Sequence, residues 1–178
     1  DNNFYVKDQT TVHIGKPSTI SGTEDVPVPG DYDGDGKGDF VLWHPSSDDK
    51  ASSFYGQYGN SSFVSPIGTR YDVPVPGDYN GDGKTDFAIW EYATGNWKVK
   101  YSQVSGGTSI QDFGIFGTPD VDTPVQGDYD ADGITDVAIW IPSTLSKDGK
   151  WKILGKDHLN GTFPNYTVPK AQAVPGDY

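Results

Sequence analysis

Aspartates recur at alternate positions of one short loop, and the chain writes that loop three times. Asp31, Asp33, Asp35 and Asp39 stand in "PGDYDGDGKGDF"; Asp78, Asn80, Asp82 and Asp86 stand in "PGDYNGDGKTDF"; Asp128, Asp130, Asp132 and Asp136 stand in "QGDYDADGITDV". Counted from the first aspartate of each loop, oxygen-bearing side chains fall at positions one, three, five and nine. Carboxylates held this close repel one another, so the spacing provides for a cation. Calcium takes about six to eight oxygens at roughly 2.3–2.6 Å, and a tightly turning loop delivers them from alternate residues. Position seven, held by Lys37, Lys84 or Ile134, would offer its backbone carbonyl, which explains its indifference to side-chain type. Position six is glycine each time (Gly36, Gly83, Gly133), as a sharp turn requires. Magnesium prefers fewer protein ligands and more water, and no His or Cys cluster points to zinc. The expectation is about three calcium ions, one per complete loop. The third loop departs at position four, where Ala131 replaces glycine.

The loop is not an EF-hand. Position twelve, where that motif needs a bidentate Glu, holds Leu42, Ile89 or Ile139 inside an apolar run, and proline-valine rather than a helix leads in. Strands must therefore position it. The glycine before each "DY" falls at Gly30, Gly77, Gly127 and Gly176, in steps of 47, 50 and 49 residues. Each unit has a Pro-Val segment, the acidic loop, an apolar run ("DFVLW", "DFAIW", "DVAIW"), a turn, an aromatic-rich strand and a last strand. In "DFAIW", Phe87 and Ile89 project to one face and Ala88 and Trp90 to the other, so both faces are apolar and both must be buried. Four-stranded sheets stacked face to face around an axis meet that demand, and this is the β-propeller.

The expected fold is therefore all-β: a propeller of four-stranded antiparallel blades, about three of them complete, with partial blades at both ends. The reading divides the chain into a half blade over 1–23, blades over 24–70, 71–120 and 121–170, and the first strand of a further blade over 171–178. A closed ring typically needs four to eight blades, so either the chain is a fragment of a longer propeller or copies assemble to close it. The chain opens at Asp1 and contains no methionine, which reads as a processed product or a piece of something longer.

At the level of the repeat, "PVPGDYDGDGKGDFVLW" and "PVPGDYNGDGKTDFAIW" resemble the FG-GAP/VCBS repeats of calcium-binding β-propellers, found in integrin α-subunit heads and in lectins of the Psathyrella velutina type. The resemblance implies a secreted or cell-surface propeller whose calcium ions are structural. It specifies a fold and an ion, not a ligand.

Composition agrees with a folded, turn-rich β protein: 13% aromatic residues, 23 glycines and 13 prolines. Net charge is −12, and eleven of the 25 acidic residues lie in the three loops. Such a surface repels a phosphate backbone, so nucleic acid is excluded as a partner. No apolar run approaches the length of a membrane span, and no cysteine is present.

Catalysis finds little support. A glycosidase needs two carboxylates at a set separation, and nearly all candidates are committed to the loops. His13, His44 and His158 are scattered, His44 being expected as a solvent-facing loop residue, and no "GxSxG"-like turn appears. Trp43, Trp90 and Trp140 recur at the end of the second strand, where packing between blades is expected. Trp97 and Trp151, which begin the third strand, and Tyr92 are the candidates for contact with a ligand such as a sugar, with packing as the alternative. Sequons occur at Asn60, Asn160 and Asn165. The functional expectation is a non-catalytic, calcium-stabilised recognition module that binds carbohydrate outside the cell. The alternatives are a protein–protein adhesion or scaffold propeller, and an accessory domain of a secreted polysaccharide-degrading enzyme.

Overall fold

The structure, a computed structural model, describes residues 3–5, 11–13, 25–47, 51–58, 61–102, 109–142, 148–156 and 161–163. The three sequon asparagines, His158 and the 171–178 strand expected at the C-terminus lie outside them. Every regular element among the described residues is a β-strand.

Strands β1 (Asn3–Tyr5) and β2 (Thr11–His13) form a two-stranded antiparallel ribbon. Three four-stranded antiparallel sheets follow, each a meander in chain order. The first is β3 (Val26–Pro27), β4 (Phe40–His44), β5 (Ser53–Tyr58) and β6 (Ser61–Pro66). The second is β7 (Val73–Pro74), β8 (Phe87–Glu91), β9 (Asn96–Lys100) and β10 (Ile110–Ile115). The third is β11 (Thr123–Pro124), β12 (Ala138–Ile141), β13 (Gly149–Ile153) and β14 (Gly161–Phe163).

The Pro-Val alternation explains why the first strand of each sheet is short and marginal. Proline has no N–H to give a ladder and is confined to edges. The valine after the first proline makes the bond: Val28, Val75 and Val125 donate N–H to the carbonyls of Val41, Ala88 and Ala138 respectively, each at 2.9 Å.

The second strands carry the core on both faces. Phe87 and Ile89 pack with Val28, Tyr32, Val41, Trp43 and Phe54 of the first sheet. Ala88 and Trp90, on the opposite face of β8, pack with Val75, Trp97 and Val99 and with Val137 and Ile139 of the third sheet. The second sheet is thus sandwiched between its neighbours, as the two-faced apolar run demands. Trp43 and Trp90 are each 1% exposed. Their counterpart Trp140 is only half-buried, in a cluster with Val125, Tyr129, Ala138, Trp151 and Ile153 that belongs wholly to the third sheet.

Candidate metal centre

Each acidic loop is a hairpin between the first and second strands of its sheet, closed at its neck by an isolated bridge: Gly30 with Asp39, Gly77 with Asp86, Gly127 with Asp136. Within the loop the first aspartate is the organising acceptor. Asp31 accepts N–H from Gly34 (2.7 Å), Asp35 (3.1 Å) and Gly36 (2.8 Å). Asp78 accepts from Gly81 (2.7 Å), Asp82 (3.2 Å) and Gly83 (2.7 Å), and Asp128 from Asp132 (3.2 Å) and Gly133 (2.9 Å). The backbone wraps the carboxylate because positions four and six enter the left-handed region. Position six does so through glycine in all three loops (φ 81–84°), while position four uses Gly34, Gly81 and, against the steric preference of a side chain, Ala131 at φ 60°.

The ninth-position aspartate is the deepest ligand candidate. Asp39, Asp86 and Asp136 are all buried, and each accepts N–H from the tyrosine at position two: Tyr32 at 2.8 Å, Tyr79 at 3.0 Å, Tyr129 at 3.0 Å. Burial pushes the Asp39 carboxyl up from its ordinary range. It pushes Asp86 up to about 6, with Asp82 and Asp78 adding repulsion and N–H bonds from Ser102 and Tyr79 opposing. Nearby cationic charge would reverse this, so these buried carboxylates are sites where a cation gains most.

Oxygen atoms of Asp31, Asp33 and Asp39 gather within 4.8 Å of one another, and so do those of Asp128, Asp130 and Asp136. The second loop places Asn80 where the others have an aspartate. All donors are hard oxygens on a loop that turns tightly about its first residue, which fits calcium rather than a softer metal. Asp35, the fifth-position candidate, is turned outward to the Lys37 ammonium at 2.6 Å, an exposed pair of little energetic weight. Lys37, Lys84 and Ile134 occupy position seven, with N–H groups bonded to the fifth-position aspartates at 2.8–3.0 Å.

Two functional positions went unread in the sequence. The tyrosine of each "DY" fastens the loop to the core: its hydroxyl donates to the carbonyl of Val28 (2.9 Å), Val75 (2.7 Å) or Val125 (2.5 Å), and Tyr32 stacks on Phe87 of the next sheet at 5.2 Å. The signal was present as a fourfold "GDY". The eighth position ties loop to loop. Thr85 N–H donates to the Asp31 carbonyl and Thr135 N–H to the Asp78 carbonyl, both at 2.6 Å. A Cβ built on Gly30 or Gly77 would lie 2.6 Å from the threonine of the next loop. Gly77→Ala should therefore destabilise the protein by about 1–3 kcal/mol through overpacking, read as a shift in the urea midpoint. A midpoint unchanged by the substitution would show that the loops do not pack this closely.

The ligand-contact candidates divide. Trp97 is 0% exposed, with its indole N–H donated to the Phe116 carbonyl at 2.8 Å. It packs between the second and third sheets, so it offers no accessible face to a ligand; the neighbouring sheet, not its nearness to a turn, decides its burial. Trp151 is half-buried against Tyr129 and Trp140. Tyr92 is exposed, its hydroxyl bonded to Asp120. His44 corrects the solvent-facing expectation: it is 3% exposed. Pairing with Ser53 extends β4 by one residue and puts His44 on the face of Leu42, beside Tyr55. Its Nδ1 lies 2.5 Å from Asp25, whose other oxygen accepts the Tyr55 hydroxyl at 2.7 Å.

Among the described residues, no helix is long and apolar enough to cross a membrane. No curated protein matches the chain. Residues 31–89, from the first acidic loop through the second to the middle of β8, match the family model of the FG-GAP-like repeat.

Proposed function

We propose that the chain is a run of calcium-stabilised β-propeller blades that acts, without catalysis, as an extracellular carbohydrate-recognition module. The observation that carries the propeller is the second sheet, sealed on both faces by its neighbours while an oxygen-rich loop joins its first two strands. In this reading Asp31, Asp33 and Asp39, with Asp35 swung inward, hold one calcium ion, and Asp78, Asn80, Asp82 and Asp86 hold a second. The ions neutralise buried carboxylates and hold successive loops together, so the metal serves the scaffold. The half-buried aromatic face of the third sheet takes a further sheet, from a longer chain or from a second copy, which completes the ring.

Recognition then falls to the opposite rim. The turns at 69–72, 92–95 and 118–122 meet there: Tyr92 N–H donates to Asp72 and its hydroxyl to Asp120, while the Arg70 guanidinium lies over the Tyr71 ring at 4.5 Å. Exposed tyrosine faces beside fixed carboxylates are the chemistry that sugars use, and repeated weak sites on one ring gain by avidity. Exposed Ile115 (73%), at the end of β10, and Val121 (53%), in the 118–122 turn, favour a protein partner as the second reading.

A glycan array probed with the calcium-loaded protein separates the two. The expected result is binding to at least one glycan class that weakens in Tyr92→Ala; no binding to any glycan would overturn the carbohydrate reading. Light scattering on the same sample tests the ring. A stable fold with the mass of one chain would show that neither missing blades nor copies are needed.

A further inference from the structure

In the third acidic loop a lysine from beyond β13 reaches three of the carboxylates at once. The Lys156 ammonium lies 2.6 Å from Asp130 Oδ2, 2.6 Å from Asp136 Oδ1 and 3.5 Å from Asp132 Oδ2. These are the oxygens of positions three, nine and five. We propose that Lys156 is the resident cation of this loop, a tethered ammonium in the place that calcium takes in the first two, so that the three loops are unequal in calcium affinity. The inference rests on the calcium reading of the first two loops.

Register explains how the ammonium arrives there. Ala88 pairs with Val99 in the second sheet and Ala138 with Ile153 in the third, so three residues onward Lys156 stands where Ser102 stands. Ser102 meets the ninth-position aspartate with neutral donors, its N–H at 2.8 Å and its hydroxyl at 3.4 Å from Asp86 Oδ1. Lys156 meets the same position with a positive charge. Gly155, at φ 72°, turns the chain back toward the loop, and Lys156 is 23% exposed in its side chain, largely sheltered for a lysine. Two cations in one cluster repel. A divalent ion about 4 Å from an ammonium is disfavoured by roughly 30-fold at the dielectric constant of water, so calcium and Lys156 compete for this loop. Ala131 adds to the difference, since the first two loops use glycine at that left-handed position.

Calcium titration of metal-stripped protein, followed by calorimetry and native mass spectrometry, tests the inference with wild type and Lys156→Ser. In wild type the first two loops should fill together and the third roughly 30-fold more weakly. Lys156→Ser should bring the third into the range of the others. Three equal sites in wild type, or a Lys156→Ser titration identical to wild type, would overturn the proposal. Should Lys156→Ser not fold, reductive methylation of wild type decides it. Lys156 should be modified several-fold more slowly than the exposed Lys37 and Lys150, and equal rates would overturn it. Calcium uptake by no loop would overturn the calcium reading itself, while the methylation rates still decide whether Lys156 sits in the cluster.

Discussion

Stripping calcium should lower the melting temperature by about 10–20 °C at pH 7.5. A ligand present at 100 times its dissociation constant stabilises the folded state by about 2.7 kcal/mol per site, and two filled sites contribute about 5 kcal/mol. For a chain of this size each kcal/mol moves the melt by roughly 2–4 °C. The buried ninth-position aspartates are the reason that the folded state, not the unfolded one, gains: Asp86 is fully enclosed and carries its charge next to Asp78 and Asp82. The effect has a pH dependence of definite sign. Without a cation, burial pushes the Asp86 carboxyl up to about 6, above its unfolded value, so the metal-free fold holds that proton more tightly than the unfolded chain does. Metal-free stability therefore rises as pH falls through 6 toward 4, by at most about 3 kcal/mol from this group. Calcium competes with the same proton. The gap between loaded and stripped melts should be widest above pH 6 and should narrow by pH 5. Calorimetry of resin-stripped and calcium-loaded protein at both pH values measures it; equal melts at pH 7.5 would refute the structural role of the ion.

Trp90→Ala should cost about 3–5 kcal/mol, the range for removing a large aromatic side chain from a packed core. Trp90 is 1% exposed, lies opposite Trp97 on the next strand, packs against the third sheet, and donates its indole N–H to the Phe116 carbonyl at 3.2 Å. Trp97 bonds the same carbonyl, so that acceptor stays satisfied and the loss is mainly one of packing. Trp140→Ala, at the equivalent position of the third sheet, is the informative contrast. In an isolated chain its half-buried ring contributes less than Trp90. In a completed ring it is covered, and its removal should lower the assembled mass as well as the stability, whereas Trp90→Ala should leave the mass unchanged. Urea denaturation followed by fluorescence, with light scattering on the same variants, reads both. A Trp90→Ala loss below about 1 kcal/mol would contradict the sheet-on-sheet packing.

Much of this architecture was legible from spacing. Alternate aspartates with glycine at position six define a turning loop, because only those φ values let one carboxylate collect several backbone N–H groups. The two-faced apolar run of "DFAIW" required a sheet on each side, since the pleat sends neighbouring residues to opposite faces. Burial of individual aromatics was less legible. Trp97 and Trp151 occupy the same place in their repeats, yet one is enclosed and the other half-buried, because enclosure depends on the neighbouring sheet and not on the residue's own strand. His44 shows the same dependence: one more cross-strand pair turned an expected loop residue into a buried partner of Asp25.

Local patterns alone determined the loops, the meander sheets and the oxygen donors, because hydrogen bonding and alternation act over a few residues. Only the tertiary structure placed an ammonium in one of the three loops. Lys156 lies twenty residues beyond Asp136 in the chain, and nothing in its own neighbourhood marks it. It reaches the carboxylates because the register of β12 and β13 brings the end of one strand beside the loop that begins the other. Charge acts through space, so a motif repeated three times in sequence need not be one site repeated three times in the fold.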